Sequence, residues 1–266
     1  MIESLSNEKI KRVLRCQQKR GRKQLGQFTV EGAREIHRAL QSGWNLDFLL
    51  VQPDLAEASQ EAAEAIALVP GTKVWPVSDT IFQKCAVREN TDGLLAVFQE
   101  KTWTLADLQQ PNKEPLFLIA LDGVEKPGNL GAVLRTADGA GAHGVILLGS
   151  SVDPWNPNVI RASLGTVFSV PVFALSDDEF AAFLKERRCE LVTLSPEASH
   201  QYYAAPLTEK PIVALFGSEA FGVRELWKKQ SQKLVRIPML GIADSLNLSV
   251  AVALLTYERL RQLSSN

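Results

Sequence analysis

Three segments of this 266-residue chain place small residues, side-chain amides and a carboxylate where a strand should hand over to a helix. In residues 121–137 a strand end runs through Asp122-Gly123 and Pro127-Gly128 into a helix starting near Asn129. Helix N-termini carry unpaired N–H groups and attract anions. Arg135, six residues after Asn129, falls in the second turn, where a guanidinium could grip a phosphate with two parallel bonds. The glycines do not fit GxGxxG, and a helix cap beside a surface arginine is the competing explanation. In residues 212–223 an apolar strand runs into Gly217-Ser218-Glu219-Ala220-Phe221-Gly222. Glycine lets a ligand approach the backbone, and parallel sheets bind ligands at the carboxyl ends of their strands. Glu219 is then a polar ligand contact or a helix-start glutamate complementing the dipole. In residues 235–253, Ser245 is a plausible N-cap, with Asn247 and Ser249 in the first turn of an otherwise apolar helix. Capping accounts for Ser245 but not readily for Asn247, and a polar group there needs partners.

The elements that must position these residues alternate in type. Strands are expected at 116–121, 144–148, 170–173, 190–194, 212–216 and 234–237, and helices at 129–139, 156–163, 177–187, 223–229 and 245–263. Apolar strands alternating with helices argue for a parallel sheet covered on both faces. The first half reads as a smaller α/β unit: a basic helix at 7–24, a strand at 28–30, a helix at 31–42, a strand at 46–51, a helix at 55–68 and strands at 74–77 and 93–98. A polar stretch at 99–115 with Pro111 and Pro115 reads as a linker, with a helical turn at 103–109. The expected division is 1–98, linker 99–115 and 116–266.

Composition bounds the function class. Hydrophobic content of 45% and charged content of 22% are those of a globular protein, and no apolar run is long enough to span a bilayer. The N-terminus lacks the apolar core of a secretory signal, so a cytoplasmic protein is expected. Cys16, Cys85 and Cys189 are far apart, as are the three histidines, so no metal site is expected. Net charge is −1, yet residues 1–38 hold ten Lys and Arg against four Glu. Such asymmetry marks either a nucleic-acid contact or a solvated helix face. Lys9, Arg12, Arg20, Arg22, Lys23 and Arg34 are the candidate RNA contacts.

Together the cores Asn129–Arg135, Gly217-Ser218-Glu219 and Ser245-Leu246-Asn247 resemble, in order and spacing, the three motifs of the SpoU/TrmH branch of the SPOUT methyltransferases. The resemblance covers about 116–260. Phe28-Thr29-Val30-Glu31-Gly32 and the amphipathic helix after it resemble the ribosomal-protein-like RNA-binding module often fused to these enzymes. Many relatives carry a second glycine where this chain has Ala220.

The resemblance implies an α/β fold with a deep trefoil knot, a homodimer whose sites draw on both subunits, and S-adenosylmethionine as cofactor. It places the cofactor at Gly217, Ile237 and Leu246, with Thr193, Leu194, Ser195, Leu215 and Met239 as neighbours. It implies a 2′-O-methylated ribose as product, in large-subunit (23S) rRNA, with tRNA as the alternative, and a catalytic set of Asn129, Arg135, Glu219, Ser245 and Asn247. In the family the arginine matching Arg135 is a proposed base, but an arginine titrates far above pH 7. A phosphate clamp that assists deprotonation electrostatically fits its chemistry better. A non-catalytic RNA-binding relative would be expected to have lost part of this set. An oxidoreductase would need a GxGxxG turn with an acidic residue about twenty positions on, which the chain lacks.

Overall fold

The computed structural model describes residues 1–88, 90–108 and 115–264. The first elements are α1 (Glu8–Cys16), α2 (Lys19–Leu25), β1 (Gln27–Glu31), α3 (Ala33–Gln41) and β2 (Leu46–Val51). They are followed by α4 (Pro53–Glu57), α5 (Gln60–Ala67), β3 (Val74–Pro76), α6 (Asp79–Cys85) and β4 (Leu94–Gln99). The chain continues with β5 (Phe117–Asp122), α7 (Pro127–Gly139), β6 (Val145–Leu148), α8 (Pro157–Ala162), β7 (Val172–Ala174), α9 (Asp177–Glu186) and β8 (Glu190–Leu194). It ends with β9 (His200–Gln201), β10 (Ile212–Gly217), α10 (Glu225–Gln230), β11 (Lys233–Arg236) and α11 (Leu248–Ser264). Among the described residues no helix is long and apolar enough to cross a membrane.

The chain divides into two compact units, Met1–Thr102 with Asp153–Ser169, and Trp103–Val152 with Val170–Asn266. This differs from the sequence-based division in two respects. The excursion 153–169 packs in the first unit, because Trp155 stacks on Phe28 at 4.6 Å between centroids and Phe168 lies at 6.1 Å from the same ring. The supposed linker shares its residues out as well: β4 runs to Gln99, while Trp103 and Leu105 pack on the second core. Residues 109–114, Pro111 included, lie outside the described residues, as does Gln109 at the end of the expected helical turn, which forms as a short 3-10 turn at Leu105–Asp107.

The first unit carries a four-stranded sheet in the order β1-β4-β2-β3, antiparallel except for β2 with β3. The expected single basic helix is two. Gln18 is extended (φ −94°, ψ 135°), and α2 folds back so that the Arg22 guanidinium donates to the carbonyls of Cys16 and Gln17 at 3.0 and 2.9 Å. These are carbonyls an α-helix leaves unsatisfied at its end. The expected helix 55–68 also breaks, at Ser59, whose hydroxyl accepts from Ala62 N at 3.2 Å and caps α5.

The second unit carries a seven-stranded sheet, β7-β6-β5-β10-β8-β11-β9, with every pairing parallel. Its central strands, FLIALD and IVALFG, are almost wholly buried, as continuous apolar runs must be when helices cover both faces. From β5 the chain moves outward to β6 and β7, then crosses to β8, and β10 inserts between β5 and β8. The order therefore reverses at β5 and β10, and parallel sheets bind ligands beyond the strand ends at such a point. There Asp122 and Gly217 are register partners. Helix α11 returns to pack on α7, and its buried Arg259 donates to Pro115 O at 3.0 Å and lies over the Phe117 ring.

Candidate active site

Each strand end at the reversal leads into a turn shaped by its sequence. After β5, Gly123 takes φ 78°, and Pro127 opens α7 at a position where its missing N–H costs nothing. Leu130, Val133, Leu134 and Ala137 face the core, and Asn129 is carried down with them to 9% exposure. After β10, Gly217 permits a close return of the chain: a Cβ there would lie 1.9 Å from the Gly222 carbonyl carbon. Ser218 and Gly222 exchange backbone bonds of 3.2 and 3.0 Å, closing a tight turn with Glu219 in it.

The third segment departs from expectation. Helix α11 begins at Leu248, so Ser245 is not its cap. Asn247 is: its Oδ1 accepts from Ser249 N at 2.9 Å and Ser249 Oγ at 2.7 Å. That fixes the side chain and turns Nδ2 the other way, toward the first two segments.

The three segments meet in a hydrogen-bonded triangle. Asn129 Nδ2 donates to Glu219 Oε1 at 2.7 Å. Asn247 Nδ2 donates to Asn129 Oδ1 and to Glu219 Oε1, both at 3.2 Å. Lys126, just before α7, pairs with Glu219 Oε2. The lysine bond, then the Asn129 bond, hold the Glu219 carboxyl below the usual glutamate range. A carboxylate with three donors and a depressed pKa is a poor proton acceptor near neutrality. It accepts from both side-chain amides of the triangle.

Arg135 is not part of the triangle. Six residues on from Asn129, it points about 120° away from it around the helix axis. It is exposed and makes no hydrogen bond or ion pair among the described residues. Ser245 is also exposed, but lines the cleft beside the triangle.

That cleft, about 960 Å³, lies at the strand ends of the second unit. Of the residues expected to meet a cofactor, Leu194, Ser195, Gly217, Ile237, Met239 and Leu246 line it. Thr193 and Leu215 are corrections. Both are fully buried; Thr193 Oγ1 bonds to Ser231 Oγ at 2.6 Å, and Leu215 belongs to the core. They support the cleft from behind. The lining suits a molecule with an apolar body and polar edges: Phe216, Ile237 and Met239 give apolar surface. The backbone N–H groups of 239–246 make no hydrogen bond among the described residues, leaving donors for a ligand.

The basic residues of the first unit divide by partner. Arg22 is a correction: at 2% exposure it is ion-paired with Asp153 at 2.8 Å and holds the break between α1 and α2. Lys9 lies over the Trp75 ring at 4.1 Å, Arg12 pairs with Asp47, and Arg34 pairs with Glu35 at 3.0 Å. Arg20 and Lys23, together with Lys19, all on α2, are exposed and make no hydrogen bond or ion pair among the described residues, although the Lys23 charge acts on Glu100. Sequence reasoning passed over Lys126, Asp122 and Arg224. Lys126 lies within residues 121–137, but nothing in its spacing sets it apart from an ordinary surface lysine.

Comparison with known proteins agrees along the whole chain. Residues 116–257 match the SpoU rRNA Methylase family, and residues 7–96 match the MRM3-like substrate binding domain. The chain is 38% identical over 216 residues to the 23S rRNA (guanosine-2′-O-)-methyltransferase RlmB of Pectobacterium atrosepticum, covering 80% of this chain and 84% of that protein. A crystal structure of an RNA 2′-O ribose methyltransferase aligns with TM-score 0.85 and 41% identity over 99% of both chains. An AdoMet-bound rRNA methyltransferase from Sinorhizobium meliloti aligns with TM-score 0.86 and 31% identity, over 98% of this chain and 97% of that one.

Proposed function

Because this chain belongs to the SpoU rRNA methylase family, we propose that it methylates the 2′-oxygen of a ribose in large-subunit ribosomal RNA, with S-adenosylmethionine as donor. The observation that carries this reading is the Asn129–Glu219–Asn247 triangle at the rim of the cleft. The choice of rRNA over tRNA rests on relatives that act on rRNA and align through both units.

S-adenosylmethionine supplies an electrophilic methyl group on a sulfonium centre. The chain supplies position. Backbone donors of 239–246 and the apolar surface of Ile237 and Met239 hold the donor molecule. Asn129 spends one N–H on Glu219 and has a second for the ribose. Glu219 stays ionised and fixes both amides, so the in-line geometry of oxygen, carbon and sulfur needs no rearrangement during reaction. The free Arg135 guanidinium clamps an RNA phosphate and lowers the cost of forming the alkoxide. The hydroxyl proton leaves to water as the new O–C bond forms and the methyl–sulfur bond breaks, its electron pair staying on the donor's sulfur, which departs as a neutral thioether.

The first unit, Met1–Thr102 with Asp153–Ser169, binds RNA, with Lys19, Arg20 and Lys23 on α2 among its exposed cations; the second, Trp103–Val152 with Val170–Asn266, is catalytic. The chain between β11 and α11 forms a trefoil knot, which the return of α11 from the far side of β8 to α7 supports. The protein works in the cytoplasm as a homodimer. Leu240 (99% exposed) and Ile242 (102%) favour a second copy on the catalytic unit, and this dimer brings Arg135 to a triangle. Mapping 2′-O-methyl marks in total RNA from cells with and without the gene tests the function. One rRNA mark should vanish; an unchanged map refutes the assignment.

A further inference from the structure

The turn that carries Glu219 is anchored at its exit as well as at its tip. Two residues beyond Gly222, Arg224 is the N-cap residue of α10. Its backbone N–H donates to Asp122 Oδ2 at 3.0 Å, and its Nε donates to Asp122 Oδ1 at 2.8 Å. Nη1 and Nη2 then form a two-bonded fork on Asp177, each at 2.7 Å. Asp122 ends β5, and its side chain is only 2% exposed. Asp177 is the first residue of α9.

The placement matters because Asp122 and Asn129 lie on the same strand–turn–helix segment. The turn thus meets that segment twice, at its tip through Glu219 and at its exit through Arg224. The tip contacts are partly solvent-exposed, with the Glu219 side chain 29% accessible, while the exit contact is buried at its Asp122 end. The exit is the firmer of the two, since a guanidinium that forks onto both oxygens of Asp177 and donates Nε to Asp122 Oδ1, beside its own backbone N–H on Asp122 Oδ2, has one orientation to choose.

We infer that Arg224 is a positioning residue for the proposed methyl transfer: clamped between Asp122 and Asp177, it sets the 218–222 turn so that Glu219 reaches Asn129 and Asn247. This rests on the reading of the triangle as the reaction site. Arg224 does not line the cleft, and its influence passes through Glu219.

The test reads Glu219 directly. Carbon-13 NMR of the glutamate carboxyl carbons, assigned with Glu219→Gln, gives the titration of Glu219 in the wild type, in Arg224→Gln and in Asp177→Asn. In the wild type it should lie below the ordinary glutamate range, since the Lys126 and Asn129 bonds depress it. In Arg224→Gln it should rise toward the ordinary value, and in Asp177→Asn, which leaves the buried Asp122 bond, it should rise less. Methyl transfer should fall about 100-fold in Arg224→Gln, but less than about threefold when Glu219→Gln is already present. An unmoved Glu219 titration, or an undiminished loss in the Glu219→Gln background, overturns the inference. Should Arg224→Gln fail to fold, Asp177→Asn decides by the same two readouts. Absence of any methyl transfer by the wild type refutes the assigned function, while the titration still decides the role of Arg224.

Discussion

Replacing Gly217 by alanine tests whether the tight return of the chain after β10 sets the reaction geometry. A Cβ at this position would sit 1.9 Å from the Gly222 carbonyl carbon and 2.1 Å from Val223 N, both backbone atoms with no rotamer to move. Real Cβ contacts essentially never fall below 3.0 Å, so strand end and turn must part by about 1.1 Å, the difference between 3.0 and 1.9 Å. A shift of that size takes Glu219 Oε1 from 2.7 Å to about 3.8 Å from Asn129 Nδ2, outside hydrogen-bond range. Displacement of about 1 Å in a positioning group costs about 100-fold in rate, and the overpacking costs about 1–3 kcal/mol of stability. The assay is steady-state methyl transfer from labelled S-adenosylmethionine to rRNA, alongside chemical denaturation. Gly128→Ala is the companion variant. Nothing lies within 4 Å of its Cβ, and it should stabilise α7 by about 0.5–1 kcal/mol. A Gly217→Ala enzyme with kcat/KM within threefold of wild type refutes the reasoning.

Asn247→Asp separates capping from site chemistry: the Oδ acceptor for Ser249 N survives, the Nδ2 donors vanish, and a second carboxylate arrives beside Glu219. Stability by denaturation should stay within about 1 kcal/mol of wild type, while kcat/KM falls about 10- to 100-fold with the lost bond to a charged group. Activity that depends on ionised Glu219 should be lost only as pH falls through its depressed pKa, below the ordinary glutamate range. Lys126→Met, which removes the largest cause of that depression, should move this acid limb upward in a pH–rate profile. Changing Lys19, Arg20 and Lys23 together to Gln should lower the salt dependence of RNA binding, d log K/d log[salt], by about 2–3. By contrast, Arg22→Gln should cost about 3–5 kcal/mol in a denaturation curve, because it strands Asp153, whose side chain is only 15% exposed, and the Cys16 and Gln17 carbonyls.

What could be read in the sequence follows from what each feature depends on. The strands β2 and β8 lie where their apolar runs place them, since burial on both faces leaves a continuous local pattern. The break between α1 and α2 depends on Arg22 reaching back to two carbonyls and out to Asp153, 131 residues away, and no local propensity encodes that. The same holds for the excursion 153–169, which joins the first unit through aromatic contacts with Phe28. In the candidate site, motif order brought Asn129, Glu219 and Asn247 to attention. The cap of α11 was misplaced because Ser245 and Asn247 are both good cap residues, and only the path of the chain chooses between them. Thr193 and Leu215 were misplaced because spacing along a buried strand does not say which residues end in a cleft and which behind it. Asp122 and Arg224 escaped notice because ion pairs 102 residues apart leave no mark in either segment alone.

The most direct measurement is to incubate purified protein with S-adenosylmethionine labelled in the methyl group and deproteinised ribosomal RNA, then digest the RNA to nucleosides. Label is expected in a single 2′-O-methylnucleoside of the large-subunit RNA, dependent on Asn129, Glu219 and Asn247. Label on a base, or no label in any ribosomal RNA under conditions where the protein binds it, would contradict the account.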